Sequence, residues 1–217
     1  MTLSAGNMLY VTAGDGSSLT TATGITATGH TFTTIQNFVG TSPTLHTWYE
    51  LNVAGGATTF TCTMNQTQGT NAAFMIEEWS GIATTAALDQ SATATNTTVT
   101  TTPTTGTTAT TTQADELIIC SIAINTGTTT VAAGSGYGAG AGGSFASFLG
   151  AGTAGAFVAV QSKIVAATGT QVGSFTLGAA RDAPAAINTF KLAAAGGPIT
   201  QPVMGGMTSA VARSSTW

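Results

Sequence analysis

Short runs rich in Thr, Val, Ile and Phe recur along the whole chain, separated by Gly, Asn, Ser and Pro at intervals of about 8–15 residues. No window holds the i, i+3, i+4 apolar spacing of a helix for three turns, so the class is all-β. Strands are predicted over 8–12, 30–38, 44–53, 57–65, 72–80, 94–102, 106–112, 115–125, 144–149, 155–166, 171–177 and 185–193. In the clearest of them Phe60, Cys62 and Met64 alternate with Thr59, Thr61 and Thr63, one face for a core and one for water. Leu117 to Ile124 is apolar on both faces, which predicts a central strand covered on both sides. The expected architecture is a two-sheet antiparallel β-sandwich of jelly-roll or concanavalin-like type. It comprises a single domain over 1–192 with an extended arm over 193–217. No fixed internal period emerges, so the chain reads as one module, of two related halves at most.

Charge is scarce. Only 6% of the 217 residues are charged, four basic and eight acidic, while 47 are threonine. Four basic side chains cannot neutralise a run of phosphates, so nucleic acid is not an expected partner. Two histidines and two cysteines leave little for a metal cage or a catalytic centre, and neither metal nor cofactor is expected. A neutral Thr/Ala/Gly surface also lowers the barrier to self-association.

Cys62 and Cys120 each lie in an apolar strand-like run and read as buried free thiols rather than as a bridge between neighbouring strands. The start, Met1-Thr2-Leu3-Ser4, lacks a basic region followed by an apolar one, so no secretory signal is read, and synthesis and assembly in a cytoplasm are expected. No apolar stretch reaches the length of a membrane helix.

Three stretches depart from the background. Residues 93–112 are threonine-rich low complexity with Pro103 and Gly106, predicting a paired, solvent-facing hairpin. Residues 134–155 are glycine-rich around Tyr137 and predict a loop. The tail ends in Trp217, which suggests an arm that docks on its own domain or on a neighbouring subunit.

Few residues carry chemistry. Glu77 and Glu78 are adjacent in a strand and must face opposite ways, so they cannot converge as a hydrolase pair. One is expected in solvent and the other on a turn backbone. His30 and His46 have no partner at a recognisable spacing and read as ordinary polar residues. Gly138 to Gly143 satisfies G-x-G-x-x-G formally, without the strand-and-helix context a dinucleotide site needs. Trp48, Trp79, Tyr137 and Trp217 are the candidate ligand or partner contacts, because exposed aromatic rings supply rigid contact area.

Met75-Ile76-Glu77-Glu78-Trp79-Ser80-Gly81, then Leu88-Asp89, the threonine-rich stretch, Asp115-Glu116-Leu117-Ile118-Ile119, Gly134-Ser135-Gly136-Tyr137 and Ala183 to Lys191 form a pattern across residues 45–192. In this the chain resembles Thr/Gly-rich β-sandwich proteins of tailed-phage virions and of bacterial surfaces. The resemblance implies a non-enzymatic virion structural protein, a capsid decoration or head/tail-associated subunit. Its expected partners are copies of itself and other virion proteins. The alternative is a carbohydrate-binding or adhesive module at a cell surface, built from the Gly134–Gly155 loop with Tyr137, Trp48 or Trp79 and recognising glycans.

Overall fold

A computed structural model describes residues 1–16, 22–38, 42–65, 72–125, 129–138, 145–149, 157–194 and 203–205. The chain opens with β1 (Thr2–Leu3), β2 (Met8–Asp15), β3 (Ala22–Thr26), β4 (Thr33–Phe38), β5 (Thr44–Glu50), β6 (Gly56–Ala57), β7 (Thr61–Met64) and β8 (Ala72–Trp79). It continues with β9 (Leu88–Ala94), β10 (Thr104–Thr107), β11 (Asp115–Ile124), β12 (Val131–Ala133), β13 (Phe145–Leu149), β14 (Phe157–Ala166), β15 (Val172–Leu177), β16 (Ala185–Lys191) and β17 (Val203–Gly205). There is no helix among the described residues.

Two five-stranded antiparallel sheets form the sandwich, in the orders β17-β8-β2-β5-β4 and β13-β14-β11-β16-β9. Alternation along each strand sorts the side chains. Met8 and Tyr10 of β2, with Met75 and Trp79 of β8, point between the sheets and meet Leu117, Ile119, Val160 and Phe190. Burying each such side chain is worth about 1.5–3 kcal/mol.

The intervening residues of the same strands build two outer cores. Leu9, Val11, Phe74 and Ile76 are covered by Leu3, Ile25, Phe60, Cys62 and Met64 from the β1–β6 and β3–β7 ribbons. Ile118, Cys120, Ile122 and Ile187 are covered by Phe175 and Leu177 from the β10-β15-β12 sheet. The two-sheet sandwich therefore carries a further layer on each outer face. This is why β11 is apolar on both sides, as its sequence predicts, and why β2 is buried along its whole length.

The two halves repeat one plan. Strands β1, β2, β3, β4, β5, the β6–β7 pair and β8 correspond in order and pairing to β10, β11, β12, β13, β14, β15 and β16. In each half the central strand, β2 or β11, lies between β5 or β14 on one side and the last strand, β8 or β16, on the other, and short outer strands cap the outside. The remaining two strands are exchanged. β9, which follows the first half, adds to β16 of the second, and β17, which follows the second, adds to β8 of the first.

Laying β2 on β11 with Thr12 over Ser121 puts Met8 over Leu117. Their cross-strand partners then place Trp79 over Phe190 and Glu77 over Asn188. At this crossing the Tyr10 and Thr12 hydroxyls meet Ser121 Oγ at 2.9 and 2.8 Å, and Asn188 Nδ2 donates to Tyr10 Oη at 2.8 Å.

Two expectations are corrected. The threonine-rich stretch is no hairpin: β9 pairs with β16 and β10 with β15, while Asn96 fastens the segment between them by donating to Thr104 and Ala183 carbonyls. Within the glycine-rich stretch the strand predicted over 144–149 is present as β13, alongside a turn at Gly134–Tyr137. Glu77 faces the sandwich interior and not solvent, because β8 is covered on both faces; Glu78 does bond a turn, accepting from the Ser4 N–H and from Asn7 Nδ2.

Candidate functional site

The most organised cluster of chemistry-bearing side chains centres on His30. Ala27-Thr28-Gly29-His30 turns with the His30 N–H donating to the Ala27 carbonyl at 3.1 Å, and Gly29 at φ +80° supplies the left-handed position such a turn demands. The turn swings His30 back over the end of β5. There its Nδ1 lies 2.9 Å from Glu50 Oε2, while the Thr31 N–H donates to Glu50 Oε1 at 3.1 Å. On the other side of the ring Nε2 lies 3.4 Å from Thr58 Oγ1. Phe32 and Phe60 pack on the imidazole, with centroids 6.4 and 5.9 Å away.

Hydroxyl, imidazole and carboxylate in this order form the relay used to activate an alcohol for acyl transfer. Two further observations bear on its role. The His30 side chain is only 3% exposed. The equivalent turn of the second half, Gly134-Ser135-Gly136-Tyr137, has the same hydrogen bond at 3.2 Å and the same glycine φ of +79°. It presents Tyr137, whose hydroxyl donates to the Val172 carbonyl at 2.9 Å and whose ring carries Lys163 Nζ at 4.7 Å. Lys163 occupies on β14 the register position that Glu50 occupies on β5. Both halves thus use a bulky polar ring to clasp a loop to the sandwich. Only the clasp is common to them, not the chemistry.

Beside the His30 clasp an open hollow of about 490 Å³ is lined by Thr26, Ala27, Thr28, Thr59 and Thr61. It offers hydroxyls and methyls and no charged group.

The aromatic residues singled out from the sequence do not converge on this hollow. Trp48 is buried in the outer core of the first sheet, its indole stacked on His46 at 5.7 Å, and Trp79 is buried between the sheets. Tyr137 is engaged as described, and Trp217 lies outside the described residues. Glu50 and Thr58 went unnoticed in the sequence because no spacing signals them; the β4–β5 hairpin brings Glu50 to His30 and the β3–β7 ribbon brings Thr58.

Elsewhere the perturbed groups are structural. Burial pushes Glu77 up to about 7, the nearby Trp79 indole acting the other way. Burial lowers His46 to about 4 and raises both thiols, Cys62 and Cys120, to about 12; both are free.

At the far end of the second sheet, burial also raises Glu116 to about 7, and the charge of Asp89 adds to the rise. For Asp89 itself burial is outweighed by bonds from Thr112, Glu116 and Lys191, the last at 3.2 Å, and it falls to about 2. Among the described residues no three His, Cys, Asp or Glu side chains group as metal ligands, and no helix is long and apolar enough to cross a membrane.

Comparison with protein-family models, with curated proteins and with solved structures finds no match to this chain.

Proposed function

We propose that the protein is a non-enzymatic structural subunit of a virion, a capsid decoration or head/tail-associated protein that works through contacts with its own copies and with other virion proteins. One observation carries the assembly part of this reading. Each of the two sheets has an edge strand without charge: β4 reads Thr-Thr-Ile-Gln-Asn-Phe and β13 reads Phe-Ala-Ser-Phe-Leu. Edge strands of soluble proteins are ordinarily guarded by lysine, proline or bulges against pairing with other chains. β4 has a register shift between Thr34 and Gln36 but no guarding charge. The virion setting is supported by the resemblance over residues 45–192. Electron microscopy of particles from the native source, labelled with an antibody to this chain, is expected to decorate the particle surface regularly. Particles lacking the protein would sink the proposal.

The hollow at Thr26–Thr28 and Thr59–Thr61 supports a second reading, a carbohydrate-binding or adhesive module, since a hydroxyl-lined depression without charge suits a neutral sugar. A glycan array is its test, and the absence of any hit removes it.

A further inference from the structure

The ion pair at the far end of the second sheet has the parts of a reaction site. Leu117, Phe190 and Leu88 pack between the sheets, so their chain neighbours Glu116, Lys191 and Asp89 fall on the opposite face of the adjacent strands β11, β16 and β9. Glu116 and Lys191 are direct cross-strand partners, and Lys191 Nζ lies 3.2 Å from Asp89 Oδ1. Thr112 holds both oxygens of Asp89, its N–H donating to Oδ2 at 2.6 Å and its hydroxyl to Oδ1. Glu116 donates a further hydrogen bond to the same carboxylate. Glu116 is fully buried and the Asp89 side chain is 4% exposed, while Lys191 is 30% exposed and opens the cluster on one side. An ion pair needs only the lysine and the aspartate. The buried Glu116 and the two Thr112 donors supply what amide formation requires in addition, a proton carrier and a cradle for the carboxyl oxygens.

We infer that the folded chain joins Lys191 to Asp89 by an isopeptide bond, with Glu116 carrying the proton. Burial keeps Glu116 protonated up to about pH 7. It passes that proton to the Asp89 carboxylate and takes one back from the Lys191 ammonium, which leaves a neutral acid and a neutral amine in contact. The amine lone pair attacks Asp89 Cγ and the C–N bond forms, while the Thr112 donors hold the oxygens of the tetrahedral intermediate. A proton moves from the attacking nitrogen to one of these oxygens, the Cγ–O bond breaks and water leaves. Ammonium and carboxylate have become amide and one water, and Glu116 ends as it began, so no oxidant or other reactant enters. Fixing the groups in contact makes the step intramolecular, which is what permits it without an activated acyl donor. The bond ties β9, which follows the first half, to the last strand of the second. The exchanged strand is then held covalently, whatever the protein assembles with.

Intact-mass spectrometry of the full chain, denatured after folding, is the test. The expected mass is one water below that of the sequence, and digestion is expected to release a branched peptide joining Asp89 to Lys191. Lys191→Arg, which keeps the positive charge, should restore the full sequence mass. Glu116→Gln should cut the cross-linked fraction at least tenfold with unchanged circular dichroism. The full sequence mass in the unsubstituted chain overturns the inference. So does a water loss that persists in Lys191→Arg, because it then belongs to a cyclised aspartate and not to a bond with the lysine. Complete cross-linking in Glu116→Gln overturns the part given to Glu116. Should a variant fold poorly, the branched peptide from the unsubstituted chain decides by its presence or absence.

Discussion

The halves β1–β8 and β10–β16 share strand order, cap and turn, yet at most equivalent positions they hold different residues. Trp79 answers Phe190, Glu77 answers Asn188, His30 answers Tyr137 and Glu50 answers Lys163. What the plan requires is therefore a volume, a hydrogen-bonding reach or a φ angle, and not a particular side chain. Where chemistry differs at one structural position, as in the two clasps, the shared mechanical role is the better explanation of why a residue is there.

The largest test of this equivalence is in the central core. Trp79→Ala and Phe190→Ala should each cost about 3–5 kcal/mol in urea unfolding, because each empties the same layer between the sheets. A loss confined to one of them would break the correspondence.

Next comes the pair Glu77 and Asn188. The folded-state value of Glu77, about 7, lies above its ordinary 4.5. The folded chain thus holds more protons than the unfolded one in that window, and stability falls as pH rises from about 4.5 to about 7. Glu77→Gln, which copies the neutral amide of the second half, should raise stability at pH 8 by about 3 kcal/mol and leave it nearly unchanged at pH 4. Denaturant midpoints at the two pH values measure the difference, and equal effects at both would contradict it.

Tyr10→Phe should cost about 1–3 kcal/mol, since it leaves Asn188 Nδ2 without its acceptor where the halves cross. Smallest and most discriminating are Gly29→Ala and Gly136→Ala. At both positions an added Cβ meets no atom, or none within 4 Å, so only the left-handed backbone opposes it. Each should cost about 1 kcal/mol by thermal melting, and equally; a twofold difference would show that the turns are not equivalent.

The sequence made the class and the covered central strand legible because period-2 alternation and two-faced apolar runs survive any pairing. The internal repeat stayed hidden for a physical reason. The offset between equivalent residues drifts, being 107 from His30 to Tyr137 and 113 from Glu50 to Lys163, so no fixed period exists to find. The threonine-rich stretch misled because a β-branched run says strand without saying with whom, and β9 and β10 belong to different sheets. Trp48 and Trp79 were legible as aromatic but not as buried, since the outer layers that cover the sheets come from short ribbons with weak signals of their own. The His30–Glu50–Thr58 clasp depended wholly on the β4–β5 hairpin and the β3–β7 ribbon, which together assemble it.

That the two halves complete each other through β9 and β17 is most directly tested by differential scanning calorimetry of the intact chain. Interlocked halves predict a single transition whose calorimetric and van't Hoff enthalpies agree. Two transitions, or a calorimetric enthalpy near twice the van't Hoff value, would mean that each half folds on its own and that the exchanged strands do not join them.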